Sequence, residues 1–397
     1  MNPSSSGWIN KFGHLVDQES LPYEDFNSLY RELKKNGFIY GVHLNIPAFI
    51  AVEHTLSEDE IAKINLLTAL YFTYIFEVGK TDFEAFVNTI FEYYQSLNVN
   101  KVSFLNKILT GSKTESQLEK LIDSRIYLSD NTFSRALGNS LTNSLLYVDI
   151  LIFMIYLRSN KNVMGHAQLL EYVTINIVYH ALNSKETHDS DAKLIQLLGS
   201  SLTYVDLDES KFDGNYSDLL TQKFTKNERD YFLDMACLTI WEDKTLDYTE
   251  TDYIFGLGKD LGKSKKVIEN ELEFVADFFE KNKDKIAYLS NKNLAVQFYD
   301  GMSKNVSKLI LRNSKRLKKE LTESRELVAL LSKSTVKDLS PEEKKKVQNQ
   351  LIDIFKSIPS LAIFMLPGGA ILLPIFIKLI PKLLPSAFDD NRIEENE

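Results

Sequence analysis

The residues best suited to chemistry are carboxylates that cluster in one acidic turn. Asp243, Asp247 and Glu250 lie close together in the sequence, with Asp234 and Glu242 just before them. Hard divalent cations prefer several carboxylate oxygens as ligands. The spacing lacks the glycine at the sixth position of an EF-hand loop, and helix capping or solvation is the simpler explanation of such carboxylates. Asp243, Asp247 and Glu250 are therefore the candidate ligands of a divalent cation, and no other cofactor is predicted.

Other catalytic patterns are missing from the sequence. The six histidines include no HExxH pair, and no Gly-x-Ser-x-Gly nucleophile elbow occurs. Cys237 is the single cysteine, so the chain has no second thiol for a disulfide or a zinc site. The glycines at Gly258 and Gly262 lack phosphate-loop spacing and follow a helical pattern rather than a strand. The sequence therefore predicts a protein that is not an enzyme.

The helices around the acidic turn resemble the tellurite-resistance TerB-like unit. The resemblance covers residues 225–282 and implies binding of a divalent cation. In that family an apolar helix and an acidic turn are followed by a helix that ends in Leu-Gly-x-Ser. The matching residues are Asp243, Leu246, Asp247, Glu250, Leu261, Gly262 and Ser264, with Lys244 in place of a glycine.

The stretch from Ser357 to Phe388 is the most apolar part of the chain. No charged residue occurs between Ser357 and Ile377. A continuous helix of that length spans about 31 Å, which matches the hydrocarbon core of a bilayer. Five of the nine prolines lie in the stretch, and Gly368 and Gly369 form a notch that favours close approach of another helix. The prediction is a kinked membrane helix that packs against a membrane protein or a second copy of the chain. The alternative is a buried core helix, although core helices are usually shorter.

The order of prolines and leucines in this stretch resembles the membrane signature of the Letm family, the leucine-zipper/EF-hand transmembrane proteins of the mitochondrial inner membrane and their bacterial relatives. The family implies membrane ion homeostasis or ribosome binding. Two departures weaken both implications: Ala370 stands where the family has an intramembrane acidic residue, and few residues follow Phe388, where the family continues into a ribosome-binding module. The residues of the motif are Pro359, Pro367, Gly368, Gly369, Leu372, Leu373, Pro374, Lys378, Pro381, Leu384, Pro385, Ser386 and Phe388.

Charge is distributed unevenly along the chain. The whole chain has 46 Lys/Arg and 55 Asp/Glu, but residues 301–350 have 13 against 6. The acidic body argues against general nucleic-acid binding, and no DNA partner is predicted. The basic segment suits anionic lipid headgroups, and a solvated helix face explains it equally well. Five Lys/Arg precede the apolar span within about twenty residues and three follow it, which favours a body on the cytoplasmic side.

Apolar periodicity and capping signals predict helices along most of the chain. Capping boxes at Ser57–Glu60, Thr225–Glu228 and Ser340–Glu343 mark three helix starts. Residues 38–52 are rich in aromatic and β-branched side chains and predict a short strand. Residues 303–331 predict one long basic helix, and the helix that starts at Ser340 is predicted to continue unbroken into the apolar stretch.

The predicted fold class is therefore all-α, a multi-helix soluble body with a C-terminal transmembrane helix. The predicted domains are an N-terminal helical domain (1–160), a TerB-like helical domain (161–290), a basic helical stalk (303–356), a Letm-like transmembrane segment (357–388) and an acidic tail (389–397).

The leading hypothesis is a membrane-anchored, non-enzymatic Letm-like protein that maintains membrane ion homeostasis or organises a membrane assembly. It predicts a bacterial inner-membrane protein with a single pass near the C-terminus, whose partners are the bilayer and a membrane protein or a second copy. Two alternatives stay open. One is a ribosome-binding or insertase-docking factor at the membrane, and the other is a TerB-like stress-response module with a membrane tether.

Overall fold

The computed structural model describes most of the chain, with the side chains of 248–251 excepted. The described residues are 1–18, 22–97, 108, 113–126, 146–159, 163–184, 195–196, 198–199, 220–221, 223–241, 248–286, 302–303, 306–307, 309–335, 337–358, 361, 364 and 372–388.

These residues form helices and turns, and no strand occurs among them, so the all-α prediction is confirmed for the described part of the chain. The first helices are α1 (Trp8–Gln18), α2 (Phe26–Lys35), α3 (Glu58–Val78), α4 (Phe83–Ser96) and α5 (Glu115–Ile126). The middle helices are α6 (Leu146–Ser159), α7 (Val163–Ser184), α8 (Lys226–Ile240), α9 (Tyr248–Asp260) and α10 (Lys265–Asn282). The last are α11 (Ser314–Glu323), α12 (Arg325–Ser334), α13 (Pro341–Ser357) and α14 (Leu373–Leu383), before a 3-10 turn at Pro385–Ala387.

Helix α3 is the central helix of the N-terminal part. It begins at the predicted capping box, in which Ser57 and Glu60 bond to each other's backbone amides, and ends at Gly79 with φ of 72°. Helices α2, α5 and α6 pack around it, and its Tyr71 and Phe72 rings are buried. Among the described residues it is the one helix long and apolar enough to span a bilayer, and 72% of its apolar window is buried in the protein. A core helix has the same composition, so this helix is weak evidence of a membrane span.

Helix α8 is the centre of the second half of the body. Its start is the predicted capping box of Thr225 and Glu228. Helices α7, α9 and α10 pack against it, and α6 packs against both α3 and α7, which connects the two halves of the body.

The predicted strand in residues 38–52 is wrong. Residues 38–41 form turns after α2, in which the amide of Phe38 donates to the carbonyl of Leu33 at 2.9 Å, and the residues up to 52 form no strand. Gly37 and Gly41 adopt φ of 84° and 68°, a conformation that interrupts an extended chain. Phe38 and Tyr40 are fully buried and Phe49 is half-buried, because this segment folds back onto the core.

The predicted long helix in residues 303–331 is also wrong, because it breaks at Ser324. That residue has φ of −121° and ψ of 80°, outside the helical region, and it separates α11 from α12. The apolar stripe within the segment is nevertheless correct, since all five of its members are fully buried: Ile310, Leu317, Leu321, Val328 and Leu331.

Candidate functional site in the C-terminal helical unit

The last four helices and the 3-10 turn form one packed group, called here the C-terminal unit (described residues 309–388). Helix α12 contacts α11, α13 and α14, and the 3-10 turn contacts α11 and α14. Ser340 and Glu343 make the predicted capping box at the start of α13, with Pro341 in the first turn. The unit thus has its own helix-packing scheme, with α12 in the middle.

Three phenylalanines form the core of the unit. Phe355 of α13 stacks on Phe364 with ring centroids 4.6 Å apart, and Phe376 of α14 meets Phe355 edge-on at 5.1 Å. Phe364 and Phe376 are also 5.1 Å apart. Edge-to-face and offset-stacked rings at these distances attract each other beyond simple burial. The apolar stretch therefore folds back onto the helix that precedes it.

The prediction of one unbroken helix from Ser340 into the apolar stretch is wrong. Helix α13 ends at Ser357, and Ile358 is extended with φ of −117° and ψ of 104°. The next α-helix that the structure describes begins at Leu373, and this helix, α14, has 11 residues. A helix of this length spans about 16 Å, roughly half of a bilayer core. The helix has Pro374 in its first turn, where proline is well tolerated, and Pro385 follows its end, while Pro381 lies within it.

The residues of the Letm-like motif divide into a buried and an exposed group. Pro359, Pro367, Gly368 and Gly369 lie outside the described residues, as does Ala370. Lys378, Pro385 and Ser386 are exposed, and Pro374 and Pro381 are half-buried. The apolar members are buried within the unit: Leu372, Leu373, Leu384 and Phe388. The motif, in its described part, serves to pack the unit.

Ion pairs neutralise several lysines on α12 and α13. The Lys333 ammonium lies 2.6 Å from a carboxylate oxygen of Glu343, and Lys346 lies 2.8 Å from Glu326. The hydrogen bond from Lys346 lowers the pKa of Glu326, and that from Lys333 lowers the pKa of Glu343. All four groups are solvent-accessible, so these pairs contribute little to stability.

Helix α11 and the residues just before it carry cations without ion-pair partners among the described residues. The residues of this group, called here the α11 basic face, are exposed and form no ion pair with any described residue: Arg312, Lys315, Arg316, Lys318 and Lys319. The sequence predicts a basic segment. It does not show that lysines of α12 and α13 have carboxylate partners whereas the cations of α11 have none in the described part of the chain, because those partners are brought together only by the packing of the helices. The face has the charge to bind an anionic surface.

The candidate metal ligands are not settled by the described residues. Asp243 and Asp247 lie outside them, as does the side chain of Glu250, and the metal site stays a prediction. No cluster of metal-ligating side chains occurs among the residues that the structure does describe. Asp234 is buried in the body, where Lys34 Nζ lies 2.8 Å from its carboxylate. Its role there is structural.

Comparison with known proteins gives one relevant match. Residues 339–397 match a family model described as LETM1-like, RBD, which begins directly before the Ser340 capping box and includes α13, α14 and the 3-10 turn. Searches of curated proteins and of solved structures give no significant match. The TerB-like resemblance of residues 225–282 stays a prediction. The C-terminal segment of this chain is similar to the LETM1-like family, as the spacing of its prolines and leucines indicates.

Proposed function

We propose that the chain is a non-enzymatic, Letm-like adaptor whose C-terminal unit docks on the ribosome. The observation that carries the proposal is that the segment with the LETM1-like, RBD match packs with α11 and α12 into one unit, and that this unit presents the α11 basic face. The Letm resemblance implies either ribosome binding or ion homeostasis. A self-packed unit with a charged exterior suits the first of these better than the second.

The charge of the unit supports a polyanionic partner. Residues 301–388 carry 16 Lys/Arg against 7 Asp/Glu, in a chain whose net charge is −9. The acidic body is a poor surface for RNA, whereas the C-terminal unit is a good one, because RNA binding needs basic side chains that neutralise phosphates. The charge separation along the chain therefore assigns the docking role to the C-terminal unit.

Membrane insertion of the apolar stretch is the second candidate function, with a role in membrane ion homeostasis or assembly. It is favoured by the absence of charge from Ser357 to Ile377 and by the glycine pair Gly368–Gly369. Insertion requires Phe376 to leave its two aromatic partners, so the unit would have to open at the bilayer. In this alternative the adaptor sits at a bacterial inner membrane with its body on the cytoplasmic side.

Co-sedimentation tests the first candidate. The full-length protein is mixed with purified bacterial ribosomes at about 0.1 M and about 0.5 M salt, since phosphate contacts weaken as salt screens them. Docking predicts a pelleted complex at low salt that is weaker at high salt. Failure to pellet with ribosomes at low salt overturns the proposal.

Flotation with liposomes tests the second candidate. Insertion predicts that the protein floats with liposomes and stays with them after an alkaline carbonate wash, whereas an adaptor bound at the surface is released. A parallel measurement of cation flux across the same liposomes tests the role in ion homeostasis. A protein that neither floats nor changes the flux removes the membrane candidate and leaves ribosome docking unaffected.

A further inference from the structure

We infer that the α11 basic face is a contact surface for RNA phosphates, although it lies before the segment that matches the LETM1-like model. The inference rests on the proposed function and deepens it, since it names the residues that meet the ribosome. The match begins at residue 339, whereas α11 ends at Glu323. The docking surface is thus larger than the matched segment.

The packing of α11 fixes the direction of its cations. Leu317 and Leu321 are fully buried on one side of the helix. At 3.6 residues per turn, Lys315 and Lys319 lie on the opposite side of the helix. The helix cannot turn without exposing its leucines, so the cations are held outward before any partner arrives. A surface held in its binding orientation loses less conformational freedom on association.

Lysines of α12 and α13 have carboxylate partners, whereas the cations of α11 have none among the residues that the structure describes. Lys333 and Lys346 are paired with carboxylates at 2.6 and 2.8 Å. Glu320, an acidic residue of α11, accepts a hydrogen bond from the Ser357 hydroxyl at 3.1 Å. The cations of the α11 basic face have no comparable partner among the described residues. They are the ones available to neutralise an incoming phosphate.

The same packing favours RNA over a lipid surface. A helix that binds in the plane of a membrane inserts an apolar face between the lipids, but the apolar side of α11 is already buried inside the unit. Leu311, 53% exposed, is the large apolar side chain that stays accessible beside the basic face, and a single exposed leucine is ordinary on a protein surface. Arginine also binds phosphate with two parallel hydrogen bonds. The face therefore binds by charge alone, which suits RNA phosphates, whereas a membrane-surface helix would also insert an apolar face.

A pair of double variants tests the inference. Arg316→Gln/Lys319→Gln removes two cations of the α11 basic face, and Lys333→Gln/Lys346→Gln removes two paired cations from α12 and α13. Both variants change the net charge equally, so any difference between them reports position rather than total charge. Thermal melts followed by circular dichroism confirm that both fold. Binding of the full-length proteins is measured against bacterial ribosomes, a fluorescent RNA duplex of about 20 base pairs and vesicles of phosphatidylglycerol and phosphatidylcholine.

The expected result is a loss of ribosome and RNA affinity in the α11 variant alone. Each lost phosphate contact lowers the slope of log K against log salt by about 0.9 on a duplex, so two contacts lower it by about 1.8. Equal losses in both variants overturn the inference, because they show that only total charge matters. A loss confined to the vesicles also overturns it and assigns the face to lipid. If the α11 variant binds ribosomes as tightly as the natural chain, this inference is wrong, but the proposed function still stands. RNA binding without any ribosome binding by the natural chain overturns the proposed function, and with it the inference that this face meets the ribosome.

Discussion

Phe376 meets Phe355 edge-on, with ring centroids 5.1 Å apart and ring planes at 90°. One ring comes from the apolar stretch and the other from the charged helix that precedes it. This contact decides between two states of the C-terminal segment, because a stretch inserted in lipid cannot keep it. The described residues of the stretch form the core of a small helical unit, and most of their large apolar side chains are buried there.

Replacement of Phe376 by alanine is expected to destabilise the C-terminal unit by about 3–5 kcal/mol, the cost of removing a large ring from a packed core. Urea unfolding followed by circular dichroism measures the change. The control is Lys378→Ala on the same helix, an exposed position where the cost is within about 0.5 kcal/mol. If the two variants unfold at the same urea concentration, the ring does not pack as described.

The same contact shows how far sequence alone predicts this region. The capping box at Ser340 is a local signal, and it is confirmed because a hydroxyl and a carboxylate three residues apart reach each other's backbone in any context. The continuation of α13 past Ser357 is wrong because length and hydropathy cannot distinguish a membrane helix from a folded-back core. That distinction depends on whether the ring of Phe376 packs against the rings of Phe355 and Phe364.

The body shows the same limit. No proline or glycine marks the helix break at Ser324 in the sequence. The break is explained by the packing of the leucines on both sides of it. Asp234 illustrates the point at a single residue, since its sequence neighbours suggested a metal site. Its partner in the structure, Lys34, is 200 positions away in the chain, so no local sequence motif predicts the pair. What is local in the sequence is predictable, and what depends on distant partners is not.

Substitution of Lys34 by methionine is expected to destabilise the body by about 3–5 kcal/mol, because it leaves the Asp234 carboxylate buried without its cation. Lys34 is 4% exposed and Asp234 1%. Burial alone would lower the pKa of Lys34, but the neighbouring Asp234 and Glu271 carboxylates raise it. Tyr30 also donates to Asp234, at 2.5 Å. Urea unfolding of the full-length chain measures the loss.

Lys63→Met is the matched control for this pair. Lys63 lies 2.7 Å from Asp123, and the side chains are 15% and 46% exposed. Because water reaches the Asp123 carboxylate when the lysine is removed, the loss is expected to cost about 1 kcal/mol. A second variant, Lys34→Met/Asp234→Asn, removes both charges and is expected to recover part of the stability. Recovery is expected to be incomplete because Glu271, the second carboxylate paired with Lys34, still lacks its cation in the double variant. Equal costs for Lys34→Met and Lys63→Met would contradict the buried ion pair.

His43 is expected to make the fold sensitive to acid. Its imidazole is buried, and desolvation lowers its pKa from 6.5 to about 3. The unfolded chain therefore binds a proton below about pH 6.5 that the folded chain rejects, and stability falls as the pH is lowered from that value. From pH 7 to pH 5 the loss is about 2 kcal/mol. Neither ring nitrogen has a hydrogen-bond partner in the described part of the chain, so no local acceptor offsets this cost.

The variant His43→Leu tests this origin of the acid sensitivity. Its free energy of unfolding, measured in urea at pH 7 and pH 5, is expected to lose about 2 kcal/mol less than the natural chain over that interval. The comparison uses the change with pH, so a different absolute stability of the variant does not affect it. His54→Leu, at an exposed position, serves as the control and is expected to keep the natural pH dependence. Identical curves for His43→Leu and the natural chain would assign the acid sensitivity to other groups.

Two glycines of α9 are expected to respond in opposite directions to alanine. A Cβ at Gly258 would lie 2.6 Å from Ile268 Cγ1 on α10, closer than such atoms approach, whereas a Cβ at Gly256 meets nothing within 4 Å. Ile268 is 2% exposed and has little room to move. Gly258→Ala is therefore expected to destabilise the body by about 1–3 kcal/mol through overpacking. Gly256→Ala is expected to stabilise it by about 0.4–1 kcal/mol, because alanine restricts the unfolded chain and favours the helix. Thermal melts of the two variants measure the change in stability. A Gly258→Ala protein as stable as the Gly256→Ala protein would show that α9 and α10 do not pack this closely.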